Sequence, residues 1–201
     1  MNEPERVDFT EFPVLTAERI VLRQAHASDA ADVLVFRGDP AVQRYNGPVF
    51  ENEDEARDLI REIEDEYDGE TGVGWAVTLK EEGRVIGLFG YHNWDRFHRR
   101  SEIGYDLARA YWGRGIASEA MRAILTFGFQ HMDLNRVEAH TIADNHESVR
   151  MLERLGFECE GTRRRFSWED DGAFHDGAIY GLLRDGWTAA NLPPSPVTPQ
   201  P

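Results

Sequence analysis

Two glycines flank an arginine at Gly113-Arg114-Gly115, directly before a long amphipathic segment. Residues 118–132 carry apolar side chains three and four positions apart, which predicts a helix with one buried face. Residues 102–107, upstream of the glycines, form a predicted strand. A strand, a glycine-containing turn and a helix start favour anion binding, because the first helical amides lack partners and the helix dipole attracts negative charge. We therefore expect a ligand that carries a phosphate or a pyrophosphate.

The glycine turn excludes two common phosphate motifs. Gly113 and Gly115 permit backbone angles closed to other residues and a close approach of phosphate oxygens, while Arg114 adds a fixed positive charge. No lysine-ended phosphate loop is present in the sequence. A dinucleotide fingerprint would need a third glycine where Ser118 stands, and it would normally lie in the first strand–helix unit. By itself the turn is equally compatible with a tight connection before a core helix.

A second segment, residues 143–157, favours the ligand-binding interpretation. It follows a predicted strand at residues 136–142 and predicts a short helix that ends at Gly156. The segment contains Asn145, Ser148 and then Leu155-Gly156-Phe157. Together with the glycine turn, it closely resembles the GNAT superfamily of acyl-CoA-dependent N-acetyltransferases. The resemblance covers roughly residues 17–187 and is nearest to the branch that contains the ribosomal-protein N-terminal acetyltransferases.

The resemblance implies acetyl-CoA as the cosubstrate. The family loop runs Gln/Arg-x-x-Gly-x-Gly/Ala, and Gly115 and Ala117 match it, while Trp112 stands in the position of the polar first residue. Backbone amides of the loop would hold the pyrophosphate, and main chain near Leu107 would pair with pantetheine where two strands splay apart. Asn145 would bind the pantetheine amide or cap its helix. The expected coenzyme residues are Leu107, Trp112, Gly113, Arg114, Gly115, Ile116, Ala117, Asn145 and Ser148.

The resemblance also implies direct transfer of the acetyl group to a primary amine. Glu102 is the candidate base, acting through water, and the alternative is a strand glutamate that faces solvent. Ser148 is the candidate hydroxyl for the departing thiolate, and the alternative is a helix serine bonded to backbone. In the ribosomal-protein branch the base lies further along, at a position occupied here by Ser167. Glu169 and Asp170 are close enough in sequence to substitute for it.

The acceptor is open at this stage. A protein N-terminus and a small amine, such as an antibiotic or a polyamine, both fit an N-acetyltransferase. Trp112 and Ser167 depart from the family pattern and motivate an alternative, a non-catalytic acyl-CoA-binding module. A third hypothesis, nucleotide binding without acyl chemistry, ranks lowest.

His92 and His98 flank the expected acceptor pocket, and Trp94 and Trp168 are expected either to line it or to pack in the core.

The order of predicted elements indicates an α/β fold built on a mixed sheet. It reads strand, two helices, three strands, helix, strand, helix and two strands, which is the GNAT order with a splayed parallel pair at residues 102–107 and 136–142. The first helix, capped at residues 28–29, is expected to bury Ala31, Leu34 and Val35. Residues 1–187 are predicted to form one domain, and the Pro-rich tail at 188–201 is predicted to be disordered.

Composition limits the partners. With 37 acidic and 22 basic residues, the net charge is −15, which disfavours nucleic acid because phosphate contacts need a basic surface. No apolar run reaches the roughly 18–20 residues of a membrane span. Cys159 is the sole cysteine and is interpreted as a small hydrophobe on a strand, so a reducing cytoplasm fits. The seven histidines lack metal-binding spacing, so no metal is expected. A homodimer is compatible with the family resemblance.

Overall fold

Eight strands form one mixed sheet in the order β1-β2-β3-β4-β5-β6-β8-β7. The computed structural model describes residues 11–169 and 171–187. The strands are β1 (Leu15–Thr16), β2 (Ile20–Arg23), β3 (Val73–Leu79), β4 (Val85–Asp95), β5 (Arg100–Leu107), β6 (Arg136–Ile142), β7 (Glu158–Trp168) and β8 (Phe174–Leu183). The helices are α1 (Ala30–Arg37), α2 (Pro40–Gln43), α3 (Glu53–Asp68), α4 (Ile116–Gln130) and α5 (His146–Arg154). Single 3-10 turns lie at Ala27–Asp29, Arg109–Tyr111 and Arg184–Gly186.

The central feature of the sheet is the parallel pair β5 and β6. Their pairing comprises Arg100 with Arg136, Ser101 with Val137, and Glu102 with Glu138. The other neighbouring strands pair antiparallel. Beyond Glu102 and Glu138 the two parallel strands separate and leave a gap, which we call the fork. The predicted splayed pair is thereby confirmed.

Helices cover the two faces of the sheet. One core cluster joins α4 and α5 to the sheet through residues such as Trp75, Met121 and Phe127. A second cluster joins α1 and α3 to the opposite face, with Phe36 and Ile60 among its members. Because successive strand residues point to opposite faces, Ile103 and Leu107 of β5 lie in the first cluster, while Glu102 and Asp106 project from the opposite face. This division places chemically different groups on the two sides of the fork.

Several helix boundaries follow the local signals. Asn52 caps α3, since its side chain accepts hydrogen bonds from the amides of Asp54 and Glu55. Helix α4 starts at Ile116, two residues before the predicted start, because Gly115 itself is the N-cap. The expected face of α1 was wrong: Ala30, Val33 and Phe36 are buried, whereas Val35 is 59% exposed.

Two short elements were not predicted. Strand β1 lies in a stretch without periodicity and pairs with β2 through Leu15 and Leu22. Helix α2 forms because Asp39 accepts a hydrogen bond from the amide of Ala41 and Pro40 occupies the first turn. Cys159 lies on a strand as expected, but its side chain is exposed. The predictions for Asp170 and for the tail at 188–201 lie outside the described residues.

None of the helices within residues 11–169 and 171–187 is long and apolar enough to cross a bilayer.

Candidate active site

The glycine turn before α4 has the backbone geometry of an anion site. Gly113 and Gly115 adopt φ angles of 70° and 77°, which L-residues rarely adopt. Gly115 is the N-cap of α4, and no side chain caps the first amides of that helix. These amides therefore point outward at the positive end of the helix dipole. Ile116 begins the helix with a buried side chain, and Ala117 follows it half-buried.

Arg19 anchors this turn from the start of the chain. Its Nη1 donates to the carbonyl of Arg114 over 2.8 Å, and its Nε lies 2.7 Å from Oε2 of Glu119. The backbone amide of Arg19 also donates to Glu119, over 2.7 Å. Glu119 lies in the first turn of α4, where its charge would repel a phosphate if it stood alone. Arg19 balances that charge, and it lies too far from Arg114 in sequence for local patterns to reveal it.

Trp112 and Leu107, both expected at the coenzyme, contact each other. The indole Nε1 of Trp112 donates to the carbonyl of Leu107 over 2.7 Å, although the tryptophan side chain is 44% exposed. The polar atom of Trp112 thus fastens the glycine turn to the end of β5. A carbonyl oxygen has two lone pairs, so Leu107 keeps one acceptor position for another donor.

A buried hydroxyl pair lies at the start of α5. The Asn145 side chain accepts from the amide of Ser148 over 3.3 Å, which confirms it as the helix cap. The Ser148 hydroxyl shares a 2.6 Å hydrogen bond with the hydroxyl of Tyr105 on β5. Burial raises the pKa of Tyr105 to about 12, and Phe89 stacks on its ring at 5.4 Å. Both hydroxyls therefore hold their protons at neutral pH. Tyr105 was not singled out in the sequence analysis, because nothing in the sequence distinguishes it beyond its place in a strand.

Glu102 lies on the other face of the sheet, between two histidines. Its Oε2 is 3.3 Å from Nε2 of His92 and 3.6 Å from Nδ1 of His140. Among the described residues it has no arginine partner. Glu138, its neighbour across the parallel pair, is held by Nε of Arg136 at 2.8 Å and lies 3.8 Å from His140. Of these two carboxylates, Glu138 contacts an arginine, whereas Glu102 contacts imidazole nitrogens, which can gain or lose a proton.

Ligand atoms of Glu102, Glu138 and His140 lie within 4.8 Å of one another, a spacing compatible with a metal ion. Sequence spacing did not foresee this group, because its members come from two strands. Arg136 and Arg100 both lie within ion-pair distance of Glu138, and their positive charges would repel a metal ion bound there. The arrangement therefore suits proton exchange better than metal binding.

Glu66 on α3 adds a further acidic group to this face. Removal from water raises its pKa, while the nearby charge of His92 acts in the opposite direction. The sequence analysis did not single out Glu66. Its environment depends on contact between α3 and β4, which no local pattern reports.

A cavity of about 350 Å³, the fork cavity, connects the two faces. His92 and His140 line it on the Glu102 side, and Tyr105, Asn145 and Ser148 line it on the α5 side. Glu66 also lines it. Ser148, the predicted thiolate partner, therefore lies across this opening from His92 and His140, the two histidines that contact the predicted base Glu102; Glu102 itself does not line the cavity. His98, the other histidine expected there, lines neither this cavity nor the one described next.

A second cavity of about 430 Å³, the hairpin cavity, lies between the segment after α2 and the β7–β8 hairpin. It shares four residues with the fork cavity, namely Tyr45, Asn46, His140 and Thr141. Ser167, Trp168 and Glu169 line it, so the stretch where a base was expected faces this space. Trp94, by contrast, packs against the core.

A buried ion pair fixes the segment after α2. Nη1 of Arg37 lies 2.5 Å from Oδ2 of Asp106 on β5. Oδ1 of Asp106 accepts from Asn46 over 2.6 Å and from Gln43 over 3.3 Å. These bonds hold one wall of both cavities against the sheet.

Comparisons with known proteins agree with this geometry. A family model described as an acetyltransferase (GNAT) domain matches residues 19–158. An uncharacterised N-acetyltransferase, p20 of Bacillus licheniformis, is 36% identical over 172 residues, covering 85% of this chain and 96% of that protein. The uncharacterised N-acetyltransferase YoaA of Bacillus subtilis is 30% identical over 174 residues, covering 86% and 98%. The solved ribosomal-protein-S5-alanine acetyltransferase from Vibrio fischeri shares the fold, with a TM-score of 0.76, 23% identity and coverage of 87% and 98%.

Proposed function

The chain belongs to the GNAT family of acetyl-CoA-dependent N-acetyltransferases, and from this premise we propose which residues perform the transfer and on which side of the sheet each acts. The observation that carries the proposal is the division of groups across the fork. Glu102 lies on one face, and the Tyr105–Ser148 pair lies on the other. The amine of the acceptor would enter the fork from the face that carries Glu102, and the thioester of acetyl-CoA would enter from the face that carries Ser148.

The coenzyme binds along α4 and α5 in this proposal. The outward amides of residues 113–117 hold the pyrophosphate, with Arg114 adding charge. Pantetheine runs through the fork beside Leu107 and Asn145, which places the thioester near Ser148. Trp112 acts by holding the turn in place through Leu107 rather than by replacing the polar loop residue of the family. The residues present therefore suit the coenzyme that the family uses.

Glu102 accepts the proton of the amine, directly or through one water. The acceptor arrives as an ammonium ion, which has no lone pair for attack until a proton is removed. His92 and His140 contact Glu102 and line the fork cavity, so they offer routes for that proton toward solvent. Glu66 strengthens the negative potential that attracts the cation.

The bond changes balance within this arrangement. The neutral amine nitrogen bonds to the carbonyl carbon, and the carbon–sulfur bond then breaks with its electron pair leaving on sulfur as a thiolate. The one excess proton that the nitrogen still carries passes to this thiolate through the Ser148 hydroxyl. Ser148 stabilises or protonates that thiolate, and Tyr105 holds the serine hydroxyl in position through their 2.6 Å bond. Because Tyr105 has a raised pKa, it remains a hydroxyl throughout the neutral range. The products are an N-acetyl amine and free coenzyme A.

The acceptor is a primary amine, either a small amine or the N-terminus of a protein. The test uses purified protein, acetyl-CoA and a panel of peptides, polyamines and aminoglycosides, with release of the coenzyme thiol as the readout. We expect release that depends on one class of amine. Tight coenzyme binding with no thiol release from any amine would instead favour the acyl-CoA-binding module that Trp112 and Ser167 motivated.

A further inference from the structure

The hairpin cavity carries positive charge at its far end. Arg44 and Arg163 line it, with Glu169 as its lining carboxylate. Within the described part of the chain, neither arginine has a carboxylate oxygen within ion-pair distance, whereas Arg37, Arg136 and Arg184 do. Arg44 acts on Asp171 only at longer range, helping to lower its pKa. In a chain of net charge −15, two cations without a close partner at a cavity indicate an anion-binding position.

Both arginines lie against aromatic rings of the same cavity. The guanidinium of Arg44 is 5.0 Å from the ring centre of Tyr45, and that of Arg163 is 5.1 Å from the ring centre of Phe166. Such contacts orient a guanidinium through its flat face. Its N–H groups, which lie in the plane of the guanidinium, remain available to a ligand. The aromatic contacts therefore position the N–H donors of Arg44 and Arg163 without using them in a hydrogen bond.

A β-bulge places the Phe166 ring in this cavity. The pairing of β7 with β8 shifts register between Arg163 and Ser167. Arg165 lies within the bulge at a φ of 52°, and its amide donates to Asp176 over 2.7 Å. The ring of Phe166 then lies over Gly177, where a Cβ would come within 2.9 Å of it. Bulges commonly redirect side chains next to functional sites, and here one holds a ring that is 54% exposed on the cavity floor.

Strand register puts the arginine end and the carboxylate end on the same face of the sheet. Arg163 pairs with Gly177, and Gly177 pairs with Ile142. Directly paired residues share a face, and Ile142 shares its face with Glu138 and His140 because all three alternate along β6. Arg163 therefore projects to the side on which Glu102 and its histidines lie. Four residues of strand separate Ile142 from Glu138, about 13 Å, and the three strand spacings from β7 to Glu102 on β5 add about 14 Å sideways.

The two cavities together have opposite charges at their ends. Carboxylates lie at the fork, and arginines lie at the β7–β8 hairpin, with His140 lining both spaces. Allowing for the length of the side chains, a ligand that reaches both ends has its own charges on the order of 10 Å apart. A free α-amino acid is too short for this distance, and a polyamine would place a cation beside Arg44 and Arg163.

We propose that the acceptor is an amine that carries an anionic group, a carboxylate or a phosphate, several bonds away from its nitrogen. The anion binds Arg44 and Arg163, the apolar part of the acceptor lies on Phe166, and the amine reaches Glu102. This inference rests on the proposed function, since it assigns the substrate of that same site.

The test compares amines that differ only in the anion. One pair is Ala-Gly-Glu amide and Ala-Gly-Gln amide, and a second pair is Ala-Gly-phosphoserine amide and Ala-Gly-Ser amide. We expect the anionic member of at least one pair to have a kcat/KM at least tenfold higher, with the difference decreasing as salt is added. The pair with the larger ratio tells whether carboxylate or phosphate is preferred.

Substitutions in the hairpin cavity then test whether Arg44 and Arg163 cause the preference for an anionic acceptor. Arg44→Gln and Arg163→Gln are each expected to bring the ratio of anionic to neutral acceptor toward one, through KM rather than kcat. Arg163→Lys keeps part of the preference, since it keeps the charge but loses the planar donor fork. Arg164→Gln is the matched control, because Arg164 is an exposed neighbour that lines neither cavity, and it leaves the ratio unchanged.

The possible failures are distinguishable. Equal rates for both members of each pair, or a preference that survives the double arginine variant, would overturn the inference and leave the proposed function standing. The same holds if neither pair reacts while another amine is acetylated. Coenzyme binding without acetylation of any amine would overturn both.

Discussion

The hydroxyls of Tyr105 and Ser148 lie 2.6 Å apart and join β5 to α5 across the fork. The bond is partly buried, and Phe89 packs on the tyrosine ring, which restricts the positions that the Tyr105 hydroxyl can take. A serine hydroxyl alone rotates freely, and its proton points wherever the nearest acceptor lies. Tyr105 therefore determines how Ser148 presents itself to a departing thiolate.

Tyr105→Phe removes only the hydroxyl that orients Ser148. We expect kcat to fall by about tenfold, less than the roughly 100-fold loss typical when the proton-transfer group itself is removed, while KM for acetyl-CoA changes little. Ser148→Ala should fall at least as far, and the double variant should be no slower than Ser148→Ala, because the two hydroxyls act as one unit. Tyr180→Phe is the control, since Tyr180 is buried but lines neither cavity. Additive losses in steady-state kinetics would contradict the coupling.

Glu102→Gln tests the base. We expect a loss of about 100-fold in kcat/KM near neutral pH, because the acceptor must then lose its proton without assistance. The loss should shrink as pH rises, since free amine becomes more abundant. Glu138→Gln is the matched control on the neighbouring strand, and its effect should be smaller because Arg136 already holds that carboxylate. A pH–rate profile of Glu102→Gln parallel to that of the unaltered enzyme would exclude Glu102 as the base.

Gly115→Ala tests the turn that precedes α4. Its φ of 77° carries a cost of about 1–2 kcal/mol for any L-residue, and an added methyl also occupies the space that a pyrophosphate needs. We expect coenzyme affinity, measured by calorimetry, to fall at least tenfold. Gly83→Ala carries a similar backbone cost at a φ of 65° in the β3–β4 turn, with nothing within 4 Å of the new methyl. If both variants bind coenzyme A as the unaltered protein does, the turn is not the phosphate site.

Local patterns were sufficient for the fork and its coenzyme side. The Gly113–Gly115 turn, the Asn145 cap and the strand at residues 136–142 are each specified within a few neighbouring residues, and each has the expected structure. The parallel pair was predicted too, whereas the order of strands within the sheet, with β8 between β6 and β7, was not. Helix α1 was placed one residue out of phase because its sequence is apolar on several sides, so periodicity alone does not choose which side faces the sheet.

Contacts between distant segments were not predictable in this way. Arg19, just before β2, reaches the glycine turn that precedes α4, and Tyr105 reaches Ser148 from a different element. Glu66 becomes a site residue only because α3 packs beside His92. In each case the partner is chosen by the packed sheet, and nothing in the sequence near the residue records it.

His175 forms a pH-dependent link between two segments beside the site. Its Nδ1 lies 2.7 Å from Asp144, just before α5, and its Nε2 lies 2.8 Å from Asp171 in the β7–β8 turn. Two carboxylates bonded to both ring nitrogens favour the imidazolium, so the pKa of His175 is raised above its ordinary 6.5. The hydrogen bond from His175 lowers the pKa of Asp171 below 3.8. The link is therefore fully formed between those two values.

The sign of the pH effect follows from these directions. The stabilisation from His175 is complete below about pH 6.5 and is lost as pH rises through its higher folded pKa. The stabilisation from Asp171 is lost only as pH falls below 3.8. We expect His175→Gln to lower Tm at pH 5.5 and to have little effect at pH 9. His98→Gln, at an exposed position in the β4–β5 turn, should leave Tm unchanged at both. An equal loss of Tm at pH 5.5 and pH 9 would show that protonation is not responsible.

Asp106→Asn tests the ion pair that holds the segment after α2 against β5. Arg37 and Asp106 are 14% and 10% exposed, so removing the carboxylate charge leaves a guanidinium that water reaches poorly. Such losses cost about 3 kcal/mol, whereas an exposed pair contributes about 0–1 kcal/mol. Asp58→Asn removes an exposed partner of Arg61 on α3 and is the control. Urea unfolding should show a large loss for Asp106→Asn and a loss near zero for Asp58→Asn.

The same variant should also affect the acceptor. Asn46, which lines both cavities, donates to one carboxylate oxygen of Asp106, and Arg37 donates to the other. Because an asparagine has a single side-chain oxygen, one of these two donors loses its acceptor and the segment loosens. We expect KM for the amine to rise, while the affinity for coenzyme A, bound beyond the fork, stays within about twofold. A loss of coenzyme affinity as large as the loss for the amine would mean that the segment supports the whole site. An unchanged KM for the amine would place the acceptor away from Asn46.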